Sequence, residues 1–338
     1  MLKTLKNKVK IIYKYLLQNF FFLIYGKIKK KISDNNDVLI NTVNIDNKYK
    51  YKIYTIKNSR LYTDTIHNTA IIKNNQIIEG ASFQYKINKI VNVQENIVFD
   101  IGTPKFKKKL KGTVLSLLIG GGGNSNYWHW LFDVLPKIKI VSSLIDLKEI
   151  DYFLFPNIEE KFQIETLNLL NIPLKKRLSS KKFKHLEADQ IITVDHPYNF
   201  LNDPFKDSLD IPKWITIFLN KTFNLLETYD KNIFPKKIYI DRSDSKSNNK
   251  NLRKITNENE ISAYLKKDSF KLIRLSDYKF IDQVRLFNNA EIIIGLHGAG
   301  FANLVFCKTN TKIIEFKSVS AGDIIKNIAI KKGLNYFD

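Results

Sequence analysis

The chain has 338 residues, with 55 Lys and Arg against 33 Asp and Glu, and a formal net charge of +22. Its 44% hydrophobic content excludes a disordered chain, and at roughly 100–200 residues per domain the length suggests two domains or one large one. The single cysteine, Cys307, excludes a disulfide scaffold and a cysteine zinc site, and no uncharged apolar run of about 18 residues marks a multi-span membrane protein.

The charge is local. Residues 1–31 carry nine Lys, residues 102–112 five Lys, and residues 175–184 five Lys and one Arg, all without an acidic residue. These stretches hold +20 of the +22. The remainder is a balanced surface, and Lys far outnumbers Arg, the usual residue for bidentate base reading. The charge therefore points away from nucleic acid.

In chain order, residues 1–31 come first. Leu2, Leu5, Val9, Ile12, Tyr13, Leu16, Phe20 and Leu23 recur every three or four residues, with Lys3, Lys6, Lys10 and Lys14 off that stripe. This predicts a basic amphipathic helix lying on an anionic membrane face. The alternative is a helix docked on the protein with a solvated lysine face. No small-residue cleavage site favours a signal peptide.

Residues 38–101 alternate β-rich runs, such as 38–43, 49–56 and 97–101, with polar turns. A buried strand is expected at 112–119, ending in Gly120–Gly123, followed by a helix at 126–140. Strands at 152–155 and 190–194 and helices at 159–170 and 212–228 follow, then a linker at 229–235. The last hundred residues read as strands at 237–241, 272–275, 291–295 and 311–316. They alternate with helices at 257–267, 280–288, 301–306 and 321–330. Such alternation predicts a parallel, helix-covered sheet.

Glycine is scarce, yet seven of the 13 fall at 120–123 and 295–300, each group after a strand and before a helix. Such loops let backbone N–H groups approach a phosphate; the plainer alternative is a tight turn that packs strand on helix. Asn126, His129 and Asp133 stand at i, i+3 and i+7 on one helix face. Asp133 there could orient His129 as a general base, or His129 could be a satisfied core histidine beside Trp128 and Trp130. Arg242 at a strand end and Arg253 in the next loop suit a diphosphate clamp. Glu315, ending a strand, suits a ribose diol or is an exposed strand-end acid. There is no Asp-x-Asp pair, Walker loop or Gly-x-Ser-x-Gly elbow.

Taken in order, residues 126–133 with Pro136, residues 238–243, Arg253, Asn257-Glu258, Gln283 with Leu286-Phe287, residues 297–300 with Asn303 and Phe306, and Ile314-Glu315 resemble glycosyltransferase family 61. The resemblance covers roughly residues 120–316. It implies an α/β, GT-B-like fold of two Rossmann-type domains facing each other across a cleft. The expected partition is a basic N-terminal helix at 1–31, an acceptor-side domain at 32–228, and a nucleotide-sugar-binding domain at 229–338.

The resemblance also implies inverting transfer from a nucleotide sugar, a UDP-sugar first of all, without metal or other cofactor. The acceptor would be a glycan or lipid-linked glycan, as in bacterial capsule or surface polysaccharide synthesis. His129 and Asp133 would be catalytic. Arg242, Arg253, Gln283, His297, Gly298, Ala299, Gly300, Asn303 and Glu315 would hold the donor. Gly122, Gly123, Asn126 and Trp130 would lie on the acceptor side. With the basic helix, the expected location is the inner face of the cytoplasmic membrane. The rival readings are a nucleic-acid-binding protein and a non-catalytic nucleotide-sugar-binding assembly protein.

Overall fold

The computed structural model describes residues 2–29, 38–86, 89–118, 125–224, 233–242 and 255–338. The chain divides into two compact units. The first comprises Met1–Asn124, Lys137–Ile158 and Pro173–Pro204, and the second Ser125–Pro136, Glu159–Ile172 and Phe205–Asp338. Residues 125–136, 159–172 and 205–228, which the sequence partition assigns to the 32–228 domain, cluster with the C-terminal unit.

The first unit is built on one mixed sheet. Its strands are β1 (Val38–Ile45), β2 (Tyr49–Thr63), β3 (Asn68–Lys73), β4 (Gln76–Ile77), β5 (Phe83–Lys86), β6 (Lys89–Val91), β7 (Lys108–Ser116), β8 (Tyr152–Phe155), β9 (Arg177–Ser179) and β10 (His185–Val194). The order is β6-β5-β3-β2-β10-β7-β8-β9, with β1 paired to β2 and β4 to β3. Strands β10, β7, β8 and β9 run parallel, whereas β1 to β6 form antiparallel pairs. Only the parallel part matches the expected Rossmann-type domain. The antiparallel part follows from short turns: Asn74 and Asn75, both at positive φ, reverse the chain tightly between β3 and β4, as paired left-handed asparagines do in hairpins. Ile56, Leu61, Ile71, Val114, Leu154 and Ile191 meet in its core.

Residues 97–101 correct the strand expectation. Val98–Ile101 is a single helical turn despite its β-rich composition. Asn96 Oδ1 accepts the Val98 N–H (3.2 Å), and Gly102 at φ +64° carries the chain out. An asparagine that turns the chain ahead of the helix and a left-handed glycine after it outweigh the propensity of the residues between them.

The N-terminal helix, Leu2–Tyr25, is anchored at its end. Phe21 is buried, stacks on Tyr25 (5.8 Å) and meets Phe106 edge-on. Val9, Ile12, Leu16 and Leu23 remain exposed, Leu23 at 87%. Both sequence readings therefore find a feature: the helix docks through its last turns and presents apolar side chains along the rest. Among the described residues, no helix is long and apolar enough to cross a membrane.

The second unit carries a sheet of β11 (Lys237–Asp241), β12 (Lys271–Arg274), β13 (Ile292–Leu296), β14 (Lys312–Phe316) and β15 (Asn335–Phe337). The order is β12-β11-β13-β14-β15, and every pair is parallel. Helices Glu258–Lys267, Phe280–Asn289 and Ile324–Lys332 separate the strands. Ile238, Tyr239 and Ile240 are buried in succession, as befits a strand covered on both faces. Phe223, Phe280 and Phe306 form an edge-to-face cluster with centroids 4.9–6.3 Å apart. Each such burial contributes about 1.5–3 kcal/mol of transfer free energy.

Strand order reverses between β11 and β13: from β11 the chain first adds β12 on one side, then returns to build β13, β14 and β15 on the other. Parallel α/β sheets bind ligands outside the carboxyl ends of the strands at such a reversal.

Candidate active site

At that reversal the second unit holds a cavity of about 240 Å³. Its wall includes Asp241 and Arg242 from the end of β11, Leu275 and Ser276 after β12, and Leu296, Gly298, Ala299 and Gly300 after β13. Tyr127, Phe162 and Gln283 complete much of the remainder. Four sequence-predicted donor residues, Arg242, Gly298, Ala299 and Gly300, thus share one wall with a fifth, Gln283.

Arg242 and Gly298 lie in direct contact. The guanidinium donates to the His297 carbonyl. A Cβ on Gly298 would fall 2.5 Å from Arg242 Nη1 and 2.7 Å from Cζ. The Gly298 backbone is extended, at φ 167°, so conformation does not demand glycine there. The close approach of the arginine does. Ala299–Phe306 then forms a 3₁₀ helix, so the loop ends on backbone N–H groups beside the guanidinium. An arginine fork and backbone donors around a small cavity can hold a phosphate chain.

The side chains around this wall are cross-linked. Tyr127 Oη donates to Asn303 Oδ1 (2.6 Å), Asn303 Nδ2 donates to Gln283 Oε1 (3.1 Å), and Gln283 Nε2 donates to the Leu275 carbonyl (2.9 Å). Asn303 is fully buried. It positions Tyr127 and Gln283 and does not line the cavity. Glu165 accepts the Phe280 N–H (2.6 Å), capping the helix that carries Gln283.

Glu315 corrects the strand-end reading. It is 2% exposed, so it is no exposed strand-end acid. Its oxygens accept from protein groups: Oε1 pairs with His297 Nδ1 (2.5 Å) and Oε2 accepts from Tyr336 Oη (2.5 Å). It is absent from the cavity wall. It fixes the His297 ring. Burial, then the Glu315 charge, pushes the Tyr336 hydroxyl well above its ordinary value, so it stays a donor.

His129 and Asp133 form a second pair, with Nδ1 2.7 Å from Oδ2. The helix bearing them runs from Tyr127–His129 through a π-helical turn, Trp130–Val134, into Leu135–Ser142. Widened turns of this kind are frequent at functional sites. Asp133 is buried and His129 is 35% exposed at its side chain. Burial pulls the His129 value down, but the charge and hydrogen bond of Asp133 outweigh it and the net shift is upward. With Nδ1 held by a carboxylate, Nε2 is the nitrogen available to take a proton. The pair lies in the same compact unit as Arg242 and His297, and outside the cavity wall.

Of the expected acceptor-side residues, Asn126 is exposed and Trp130 is buried. Asn126 Oδ1 caps the helix, accepting from Trp128 N (2.9 Å) and His129 N (3.4 Å). Trp130 is fully buried and its indole N–H donates to Thr166 Oγ1 (2.9 Å). Gly122, Gly123 and Arg253 lie outside the described residues. Tyr127, Ser276, Asp241 and Tyr336 are the site residues missed from sequence. Tyr127 sat inside the 126–133 motif but had no role apart from Asn303. Tyr336 carries no local signal. No group of three or more His, Cys, Asp or Glu able to hold a metal occurs among the described residues.

The second unit is an α/β unit with a parallel sheet, and Arg242 and Gly298 line the cavity at its strand-order reversal. Residues 127–314 match the family model described as Glycosyltransferase 61, and the chain belongs to that family of glycosyltransferases. Among known proteins, it is similar to the EGF domain-specific O-linked N-acetylglucosamine transferase of Rattus norvegicus, 35% identical over 89 residues. The match covers 25% of this chain and 17% of that relative. The proteins of the same name from Gallus gallus (33% over 89 residues) and Drosophila melanogaster (31% over 87 residues) match with the same coverage. The matched segment is thus about a sixth of the relatives' length.

Proposed function

We propose that this protein transfers a sugar from a nucleotide-sugar donor to a glycan or lipid-linked glycan acceptor, with inversion and without a metal. The observation that carries the reading is the contact of Arg242 with Gly298 in the cavity wall, at the strand-order reversal. The donor diphosphate would lie against Arg242, the amides after Gly298, and Arg253. His129 Nε2, with Asp133 behind Nδ1, would take the acceptor hydroxyl proton. The acceptor oxygen would then bond to the anomeric carbon as the bond to the diphosphate breaks, the electron pair leaving with the diphosphate. Arg242 stabilises that growing charge more than the ground state, which is what accelerates the step.

A UDP-sugar is the proposed donor, and the relatives' names make N-acetylglucosamine the first sugar to test. The two-domain GT-B-like organisation and a role in bacterial capsule or surface polysaccharide synthesis belong to the same proposal. So does attachment of residues 1–31 to the inner face of the cytoplasmic membrane, supported by the exposed apolar side chains and the acid-free lysines of that helix. Thermal shift tests the donor reading. UDP should raise the Tm equally with and without EDTA. A shift only with oligonucleotides would favour nucleic-acid binding instead.

A further inference from the structure

A second cavity, about 290 Å³, lies in the first unit, where the N-terminal helix ends. Tyr25, Arg60, Lys73, Asn75, Lys107 and Glu187 contribute to its wall. Arg60 is the unusual member. It is only 7% exposed, and buried charges are ordinarily paired. Its hydrogen-bond partners here are all neutral, and the Glu187 carboxylate acts on it through charge alone, less strongly than burial does. Nη1 donates to Thr103 Oγ1 (2.8 Å) and lies 3.1 Å from His185 Nε2, while Nη2 donates to Asn75 Oδ1 (2.7 Å).

The histidine is neutral for a stated reason. Its Nδ1 donates to the Lys105 carbonyl (2.8 Å), so Nε2 is the accepting nitrogen. Burial, with Arg60 and Lys107 nearby, pushes His185 down to about 4. The one adjacent carboxylate is committed elsewhere. Glu187 stands opposite Arg60 in the β2–β10 register, yet it pairs with Lys107 and with Lys109 (3.6 Å). No carboxylate pairs with Arg60 among the described residues. The Tyr25 ring lies between two cations, 5.7 Å from Arg60 and 5.5 Å from Lys107.

Three bonds leave two of the five guanidinium N–H groups to serve an incoming acceptor. Among the described residues, three cations and one carboxylate line the cavity, an excess of positive charge. We propose that this cavity binds a phosphate-type oxyanion, with Arg60 as its principal donor. Nothing in the sugar-transfer reading uses these residues. The two sources of such an anion are a free phosphate and the headgroup of an acidic lipid. Tyr25 joins the cavity to the helix whose Leu23 and Ile24 are exposed, which favours the lipid; that choice rests on the membrane reading, whereas the anion site does not.

The test measures inorganic phosphate binding to the full chain by calorimetry. It also measures co-sedimentation with phosphatidylcholine vesicles with and without phosphatidic acid. Arg60→Gln, with its fold checked by circular dichroism, should weaken phosphate binding at least tenfold. Lys73→Gln, a change at the cavity rim that keeps Arg60 in place, should weaken it less. Loss of phosphatidic-acid-dependent sedimentation in Arg60→Gln, with phosphate competing in the wild type, identifies the lipid source. Phosphate binding lost in Arg60→Gln with unchanged sedimentation identifies a free anion. Phosphate and vesicle binding both unchanged in a folded Arg60→Gln protein and in Lys73→Gln would overturn the site. UDP thermal shifts should persist in both variants, so failure here is distinct from failure of the transfer reading.

Discussion

Gly298→Ala separates backbone conformation from close approach. At φ 167° the backbone accepts alanine without strain. The added Cβ would meet Arg242 Nη1 at 2.5 Å and Cζ at 2.7 Å, distances that contact does not allow. The obstructing atoms are the end of a flexible side chain, so the fold can relax cheaply, and the Tm should move little. The relaxation consists of moving the guanidinium out of the cavity wall. Hydrogen bonds to a charged group contribute about 1.5–3 kcal/mol, so losing one such bond to the diphosphate lowers kcat/KM about 10- to 150-fold. Steady-state release of nucleoside diphosphate measures the loss, and UDP thermal shift should shrink with it. A Gly298→Ala enzyme with wild-type kcat/KM and UDP shift would refute the argument that Arg242 and Gly298 form the anion site together.

Four further outcomes are expected. His129→Ala should lower kcat about 100- to 10,000-fold at unchanged UDP binding, the range for loss of a general base; an unaffected kcat would remove His129 from the chemistry. Because Asp133 raises the His129 value above 6.5, activity should rise with pH through a limb above pH 6.5, and in Asp133→Asn that limb should move down. The same raised value means the pair stabilises the fold fully below about pH 6.5 and loses that contribution as pH climbs through the folded-state value, which a pH series of denaturant melts would show. Tyr336→Phe leaves one buried Glu315 oxygen without its donor. It should cost about 1–3 kcal/mol in unfolding free energy and, by loosening His297, raise KM for the donor more than it lowers kcat; a neutral result in both would reduce the contact to packing.

The parallel sheet of the second unit is legible because its signals are local. Strand 237–241 is expected and observed with the same limits, since Ile238, Tyr239 and Ile240 form an uninterrupted apolar run between charged residues. Gly298 and Gly300 are conspicuous because glycine is rare in this chain. The first unit is harder to read. Strand β10 pairs antiparallel with β2 and parallel with β7, partners more than 70 residues away in sequence, and no period in the residues announces that choice.

The site shows the same division. His129 and Asp133 are one helical turn apart, and their pairing follows from spacing alone. Glu315 accepts from Tyr336, 21 positions on, and Asn303 accepts from Tyr127, 176 positions back. Such partners meet only through the tertiary fold, so the sequence does not announce that the Glu315 carboxylate is buried against His297. The Asn126 cap lies within its own turn, whereas the Trp130 bond to Thr166 spans 36 positions and has no local signal.

The most direct measurement is a donor screen: a panel of UDP-, GDP- and CDP-sugars incubated with the protein, a glycan acceptor mixture and EDTA, reading released nucleoside diphosphate and glycosylated product. One donor, with UDP-N-acetylglucosamine tested first, should release its diphosphate in step with product, and Arg242→Ala should abolish both while remaining folded. Turnover that requires added metal, or that persists undiminished in Arg242→Ala, would contradict the account.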